Sequence, residues 1–379
     1  MRLERAWLRA PGARAVMAML EDAGHRALYV GGCVRDALMG RDAGDIDIAT
    51  DARPERVTAL AEAAELKAVP TGEAHGTITV VAHGAPYEVT TFRRDVETDG
   101  RRAVVAFTDR LEEDAARRDF TMNALYAEAD GTVVDPLGGL PDLLARRVRF
   151  VGEPEARIRE DYLRILRFFR FNAWHGEGID ADGLAACAAL AEGLETLSGE
   201  RVGMEMKKLL AAPDPAPALA AMEVSGVLAR VMPGASVVAV APLVHLEEAP
   251  GSWDRRAAAM GGEVSGWRLS RREAKRLSVL REALEQGTGL GEVAYRHGAD
   301  VAWDVGLMRA ASAGGVVPDD AGIARAAAAE MPIRAADLAD VLSGKALGEA
   351  LKRAERAWID SEFQMEQEAL IEAALASDE

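Results

Sequence analysis

Residues 28–50 read LYVGGCVRDALMGRDAGDIDIAT. The apolar run Leu28, Tyr29, Val30 stops at the pair Gly31-Gly32, a helix-compatible CVRDALMG follows, and Asp45-Ile46-Asp47-Ile48 alternates polar with apolar. That order predicts strand, tight turn, short helix, strand. Side chains alternate faces along a strand, so Asp45 and Asp47 are expected on one side while Ile46 and Ile48 enter a core. Two carboxylates aimed at one point repel unless a cation lies between them, and Mg2+ is characteristically held by one or two carboxylates together with substrate phosphates. The glycines admit a phosphate chain close to the backbone, with amide N–H groups and Arg35 as donors. The stretch predicts a metal-dependent nucleoside triphosphate site: Asp45 and Asp47 for Mg2+, Gly32 and Arg35 for the phosphates.

A chain of 379 residues has room for two or three domains. Its two cysteines, Cys33 and Cys187, can form neither a disulfide framework nor, alone, a zinc site. No apolar run approaches the ~20 residues a membrane span needs, and a soluble, cytoplasmic protein is expected. The net charge of -17 argues against nucleic acid only if charge is evenly spread. Here it is segregated: residues 146–170 are rich in arginine, WRLSRREAKRLSVLR (267–281) is basic, and the tail from Asp360 is acidic. An acidic protein with basic grooves follows.

Residues 5–24 place apolar side chains at helical spacing and end at Gly24, predicting a packing helix. Pro54 opens a second helix, expected to reach about Leu66. Three β-like runs follow near 67–69, 76–81 and 87–92, the last two joined by a hairpin-length connection. Glu88 on the last run reads equally as a third carboxylate or as a half-exposed edge residue. Residues 93–116 are dense in charge, carry the turn signal Asp99-Gly100, and are expected to form a solvated loop. Residues 157–172, RIREDYLRILRFFRFN, read as one amphipathic helix, on which Asp161 and Arg164 would be surface neighbours. The charges alone predict an i,i+3 ion pair there. From residue 213 the pattern is helices broken by prolines.

The string GGxVRDxLxG followed by DxD resembles the first signature of the nucleotidyltransferase superfamily, in the branch of bacterial tRNA CCA-adding enzymes and poly(A) polymerases. RRDFTMNAL (117–125) resembles the second, VVDPLGGLPDL (133–143) the third, EDxxRxLRxxRF from Glu160 the fourth, and LSGERVGMEMKKLL (197–210) the weaker fifth. The likeness covers roughly residues 25–210 and thins beyond. It implies an α+β chain: a nucleotidyltransferase head with a small mixed sheet (1–145), an all-α neck that recognises the base (146–212), and a helical body and tail that bind tRNA (213–379). It implies Arg118, Asp161, Arg164, Arg167 and Arg170 as nucleotide-binding residues, with Arg117 pairing to a nearby acid, and segment 93–116 as mobile. Cytosine and adenine both present an exocyclic amino donor beside a ring-nitrogen acceptor, so a carboxylate plus a guanidinium, Asp161 with Arg164, suits both and rejects guanine and uracil. Steps of three drift around a helix, so Arg170 would lie opposite Asp161 and serve phosphate, RNA or structure. The implied activity is template-independent addition of CCA to the tRNA acceptor end from CTP and ATP, by two-metal phosphoryl transfer with Mg2+. Addition of CC or A alone, poly(A) tailing, and a non-catalytic RNA-binding protein are the competing readings. Arg268, Arg271, Arg272, Lys275 and Arg276 form either a phosphate-following stripe or a solvated face, and oligomeric state is not legible.

Overall fold

The computed structural model describes residues 1–42, 44–72, 76–99, 102–248, 251–314 and 317–376, with backbone alone for 95–99 and 102–105. The expected turn at Asp99-Gly100 and the break at Pro250 include residues outside this set. The chain forms two compact units, Met1–Pro233 and Gly234–Glu379. Among the described residues no helix is long and apolar enough to cross a membrane.

The first unit is built on a seven-stranded mixed sheet. Its strands are β1 (Ala27–Val30), β2 (Asp47–Thr50), β3 (Lys67–Gly72), β4 (Thr77–Ala82), β5 (Ala85–Thr91), β8 (Tyr126–Ala127) and β9 (Val133–Val134), in the order β3-β4-β5-β2-β1-β8-β9. All four residues of β1 are buried because the strand lies between β2 and β8 with a covered face on each side. Leu28 and Val30 join Ala49, Phe92, Leu111, Ala124 and Tyr126 in one apolar cluster. Tyr29 points the other way and meets Trp7 edge to face at 4.8 Å. Helix α1 (Pro11–Glu21) covers that face and buries Val16, Met17 and Leu20. It does not begin at residue 5 as the periodicity suggests. Pro11 starts a new helix after the short turn Ala6–Arg9, since a proline fits the first helical turn and disrupts an interior one. Helix α2 (Gly32–Leu38) follows β1, and α3 (Pro54–Ala63) starts at Pro54 as expected.

Segment 93–116 is not a loop. β6 (Arg93–Asp99) and β7 (Arg102–Phe107) form an antiparallel hairpin, and α4 (Leu111–Ala116) follows. Two runs containing Val and Thr on either side of a glycine satisfy each other's backbone groups, so the density of charge does not forbid a hairpin.

Beyond β9 the first unit is helical: α5 (Leu140–Leu144), α6 (Pro154–Glu160), α7 (Leu163–His175), α8 (Ala181–Ala189) and α9 (Gly199–Leu210). The amphipathic stretch 157–172 is two helices rather than one. Asp161 is extended (φ -157°, ψ 106°) and ends α6, and α7 restarts at Leu163, burying Ile165, Leu166, Phe168, Phe169 and Phe171.

Among the described residues the second unit is helical. Ala299–Ala313 buries nine of its fifteen residues and packs against Arg271–Gln286, Trp253–Met260 and Val240–Leu246. Within it Glu247 accepts from Arg255 Nε at 2.9 Å and from Arg256 Nε at 3.0 Å, and Asp304 accepts from Arg255 Nη1 at 2.7 Å. Arg276 bonds Asp254 at 2.6 Å and also reaches Asp304. Of the basic run proposed to follow phosphates, Arg276 is thus turned inward, while Arg271, Arg272 and Lys275 are exposed.

Candidate active site

β1 and β2 run antiparallel with Tyr29 opposite Ile48, so the exit of β1 and the entry of β2 lie at one end of the sheet. That topology brings the glycine turn to the aspartates. Gly31 holds φ 71°, ψ -120°, a conformation open to glycine, and its N–H donates to Leu125 O at 3.1 Å. The strand β2 begins only at Asp47. Asp45 is exposed in the bend before it, and the strand pleat therefore does not set its direction. On the other side β2 pairs in parallel with β5, Asp47 in register with Glu88. Burial first, then Glu88, with Asp45 adding to both against the opposing pull of Arg118, pushes the Asp47 carboxyl up to about 6.

Arg118 stands over the turn. A Cβ on Gly31 would lie 3.3 Å from its Nη1. Its Nε donates to the Tyr126 hydroxyl at 3.1 Å, its Nη2 to Asp114 at 3.2 Å, and Tyr126 donates to Asp114 at 2.7 Å. Burial raises the Asp114 carboxyl, but Arg117, Arg118 and the Tyr126 hydrogen bond outweigh it and hold it below the ordinary range. Arg117, as expected, pairs with an acid: Asp114, at 2.8 Å.

Arg35 is turned inward rather than left free beside the turn. It grips Asp36 with Nε (2.9 Å) and Nη2 (3.0 Å) and donates from Nη1 to Asn123 at 2.8 Å. Asn123 donates on to Asp119 at 2.9 Å, which accepts from Arg167 Nε at 2.8 Å. Arg170 Nε bonds Glu205 at 2.5 Å. The guanidiniums of Arg35, Arg167 and Arg170 all lie over the Phe171 ring, 5.2, 5.3 and 4.4 Å from its centre. Behind them His175 takes Arg41 as a partner at 3.0 Å, and burial together with Arg35, Arg41 and Arg170 drives its pKa down to about 2.

Asp161 and Arg164 do not pair with each other. Asp161 Oδ2 accepts from Arg201 at 2.7 Å and Oδ1 from the Leu163 amide at 3.1 Å. Arg164 Nη1 donates to Glu160 at 2.5 Å and to Arg157 O at 2.7 Å. With the helix broken at Asp161, counting turns from it no longer places Arg170, which shares Glu205 with Arg167. Asp119, Glu205 and Arg201 were not singled out from the sequence. All three lie inside the quoted strings, Asp119 in RRDFTMNAL and Arg201 and Glu205 in LSGERVGMEMKKLL, but the strings do not say what each residue bonds.

A divalent metal fits these residues. Burial first, and then Glu88 and Asp45, raise the Asp47 carboxyl, and a cation beside it relieves the repulsive part. Among the described residues no group of three or more His, Cys, Asp or Glu is arranged to enclose an ion by itself.

Residues 27–149 match the poly(A) polymerase head domain, and residues 178–238 match the family described as "Probable RNA and SrmB-binding site of polymerase A". The CCA-adding enzyme of Geobacillus thermodenitrificans is 43% identical over 249 residues, 65% of this chain and 57% of that protein. The human mitochondrial CCA tRNA nucleotidyltransferase 1 is 43% identical over 206 residues, 52% of this chain and 47% of that protein. The matched region thus spans about half the length of these curated relatives. The crystal structure of the Bacillus stearothermophilus CCA-adding enzyme in complex with CTP aligns with a TM-score of 0.76 at 31% identity, covering 97% of this chain and 98% of that one. A likeness of that extent, together with the head-domain match, places the chain in the family of CCA-adding enzymes and poly(A) polymerases.

Proposed function

We propose that this chain is a tRNA nucleotidyltransferase that adds CCA to the tRNA acceptor end from CTP and ATP. The observation that carries the reading is the register of Asp47 with Glu88 at the end of the sheet where the Gly31-Gly32 turn lies, with burial first and then Glu88 and Asp45 pushing the Asp47 carboxyl up to about 6. Asp45 and Asp47 would hold Mg2+, which when bound supplies Lewis-acid activation of the RNA 3'-hydroxyl and charge stabilisation at the α-phosphate and pyrophosphate. Gly32 presents backbone N–H groups at the start of α2, and Arg118 brings positive charge to the same turn. Asp161 accepts from, and Arg164 donates to, the pairing edge of cytosine or adenine. Both retain capacity: each carboxylate oxygen can accept a second bond, and a guanidinium carries five N–H donors. Arg35, Arg167 and Arg170 act around Phe171, joining the phosphate turn to the neck. We assign catalysis to residues 1–145, base recognition to 146–212 and tRNA binding to 213–379.

The test is extension of tRNA transcripts ending before CCA, after C and after CC, with Mg2+ and CTP, ATP or both, read by sequencing 3' ends. Growth ending at CCA on all three supports the proposal. Restriction to one substrate indicates a CC- or A-adding enzyme, and long A tracts on unrelated RNA indicate a tailing polymerase. No extension, with no pyrophosphate released, indicates a non-catalytic RNA-binding protein.

A further inference from the structure

The two helices that carry the base-reading groups are joined at Asp161 and Tyr162. Asp161 is extended and Tyr162 already helical (φ -60°, ψ -17°), so the path from α6 to α7 turns on one residue's backbone. Asp161 stands before that bend and Arg164 after it. Their separation, which a base edge must match, is therefore set by whatever fixes the bend.

Two contacts reach it from elsewhere in the fold. One is the Arg201–Asp161 bond at 2.7 Å. The other is steric: the ring of Tyr162 lies flat against Gly193, in the short 3-10 turn Ala191–Thr196. A Cβ on Gly193 would fall 1.9 Å from Cδ1, 2.1 Å from Cε1 and 2.4 Å from Cγ of that ring. No real Cβ tolerates such distances. Because Cγ lies on the ring's own axis, rotating the ring leaves the 2.4 Å clash at Cγ, and Tyr162 must change χ1 or the backbone must move. The Gly193 turn is itself tied down. Its N–H bonds Leu190 O at 3.0 Å, its carbonyl accepts from Thr196 Oγ1 at 2.7 Å, Ala191 and Leu194 are buried, and Arg230 holds Glu192 and Glu195.

We propose that Gly193 is a specificity-determining positioning residue: as the seat of the Tyr162 ring it sets the bend between α6 and α7, and with it the spacing of Asp161 from Arg164. Gly193 acts without touching nucleotide. The inference rests on the reading of Asp161 and Arg164 as the groups that recognise the base.

The experiment uses the full chain and its Gly193→Ala variant. Single-nucleotide addition is measured with CTP, UTP, ATP and GTP, alongside direct calorimetric binding of CTP and UTP. Gly193→Ala is expected to fold and to lose about tenfold or more of the preference for C over U, in kcat/KM and in Kd alike, the scale of a small steric change at a recognition site. A folded Gly193→Ala variant with unchanged preference overturns the inference. Tyr162→Ala, which removes Cγ together with the ring, approaches the contact from the other side, should loosen the preference too, and carries the test if Gly193→Ala does not fold; an unaltered preference in Tyr162→Ala overturns it. In the double variant, Gly193→Ala should cost nothing further once Cγ and the ring are gone. An equal loss with and without the ring shows that the effect does not pass through Tyr162, and the inference fails. A wild-type chain that extends no RNA yet binds CTP over UTP defeats the proposed transferase function but leaves the Gly193 prediction readable by binding. Equal binding and equal use of all four nucleotides by the wild type overturns both.

Discussion

Asp47 and Glu88 stand in register on the adjacent parallel strands β2 and β5. Neighbouring parallel strands point in-register side chains to the same face, so the two carboxylates share one end of the sheet with the glycine turn. Such an arrangement costs stability in the bare protein, and under the proposed function it would serve a bound cation.

The sign follows from the direction of the shift. A carboxyl raised to about 6 from 3.8 takes up protons on folding, so its unfavourable contribution is present above about pH 6 and gone below about pH 4. Asp47→Asn is expected to raise the Tm of the metal-free chain at pH 7, with the gain vanishing by pH 4. The same variant, like Asp45→Ala, should abolish nucleotide addition while nucleotide still binds. Melting curves in chelator across pH, together with turnover assays, check both halves, and substantial activity in either variant would remove the metal role.

Asp161 is held by Arg201 and by the Leu163 amide, not by Arg164. Under the proposed function, removing it takes away an acceptor for the exocyclic amino group of C and A, and it leaves Arg201 without that carboxylate. Asp161→Ala should therefore weaken discrimination against U and G by at least ~10²-fold. Competition between nucleotides in single-addition assays measures it, and intact discrimination would reduce Asp161 to a structural partner of Arg201.

His175 stays neutral in the fold because burial and three nearby guanidiniums oppose its proton. Its folded pKa lies below the unfolded 6.5, so the unfolded chain binds the extra proton and stability falls as pH drops below about 6.5. The loss from this group is about 2 kcal/mol at pH 5 relative to pH 7. His175→Gln, which can still accept from Arg41, should show a shallower decline between pH 7 and 5 in urea titrations. An unchanged slope would mean that His175 is protonated in the folded state.

In the second unit Glu247 accepts from both Arg255 and Arg256, and its side chain is 2% exposed. Glu247→Ala removes a buried carboxylate from between two guanidiniums, and breaking such a pair costs about 3–5 kcal/mol. Denaturant unfolding followed by far-UV circular dichroism is the measurement. A loss below about 1 kcal/mol would show that the remaining acids, Asp254 and Asp304, absorb the charge unaided.

What the sequence by itself determined was local. A glycine pair after an apolar run marks a turn because only glycine adopts the φ of Gly31 without strain. A proline marks a helix start at Pro54, and the apolar residue after Asp47 marks the start of β2. Those signals lie within a few residues of their effects, and the motif strings are of that kind, which is why the head and its carboxylates were legible.

Tertiary structure alone decided the partners and the bends. Spacing made Asp161 and Arg164 candidates for one another, yet Asp161 bonds a guanidinium 40 residues away and Arg167 a carboxylate 48 residues away. A guanidinium can satisfy any carboxylate within reach, and packing settles which one that is. The break at Asp161 left no helix-breaking residue in RIREDYLRILRFFRFN to announce it; the seat of the Tyr162 ring is Gly193, in another turn. Only the parallel pairing of β2 with β5 set the exposed Glu88 in register with Asp47, since strand order is a property of the whole sheet and no single strand encodes its neighbour.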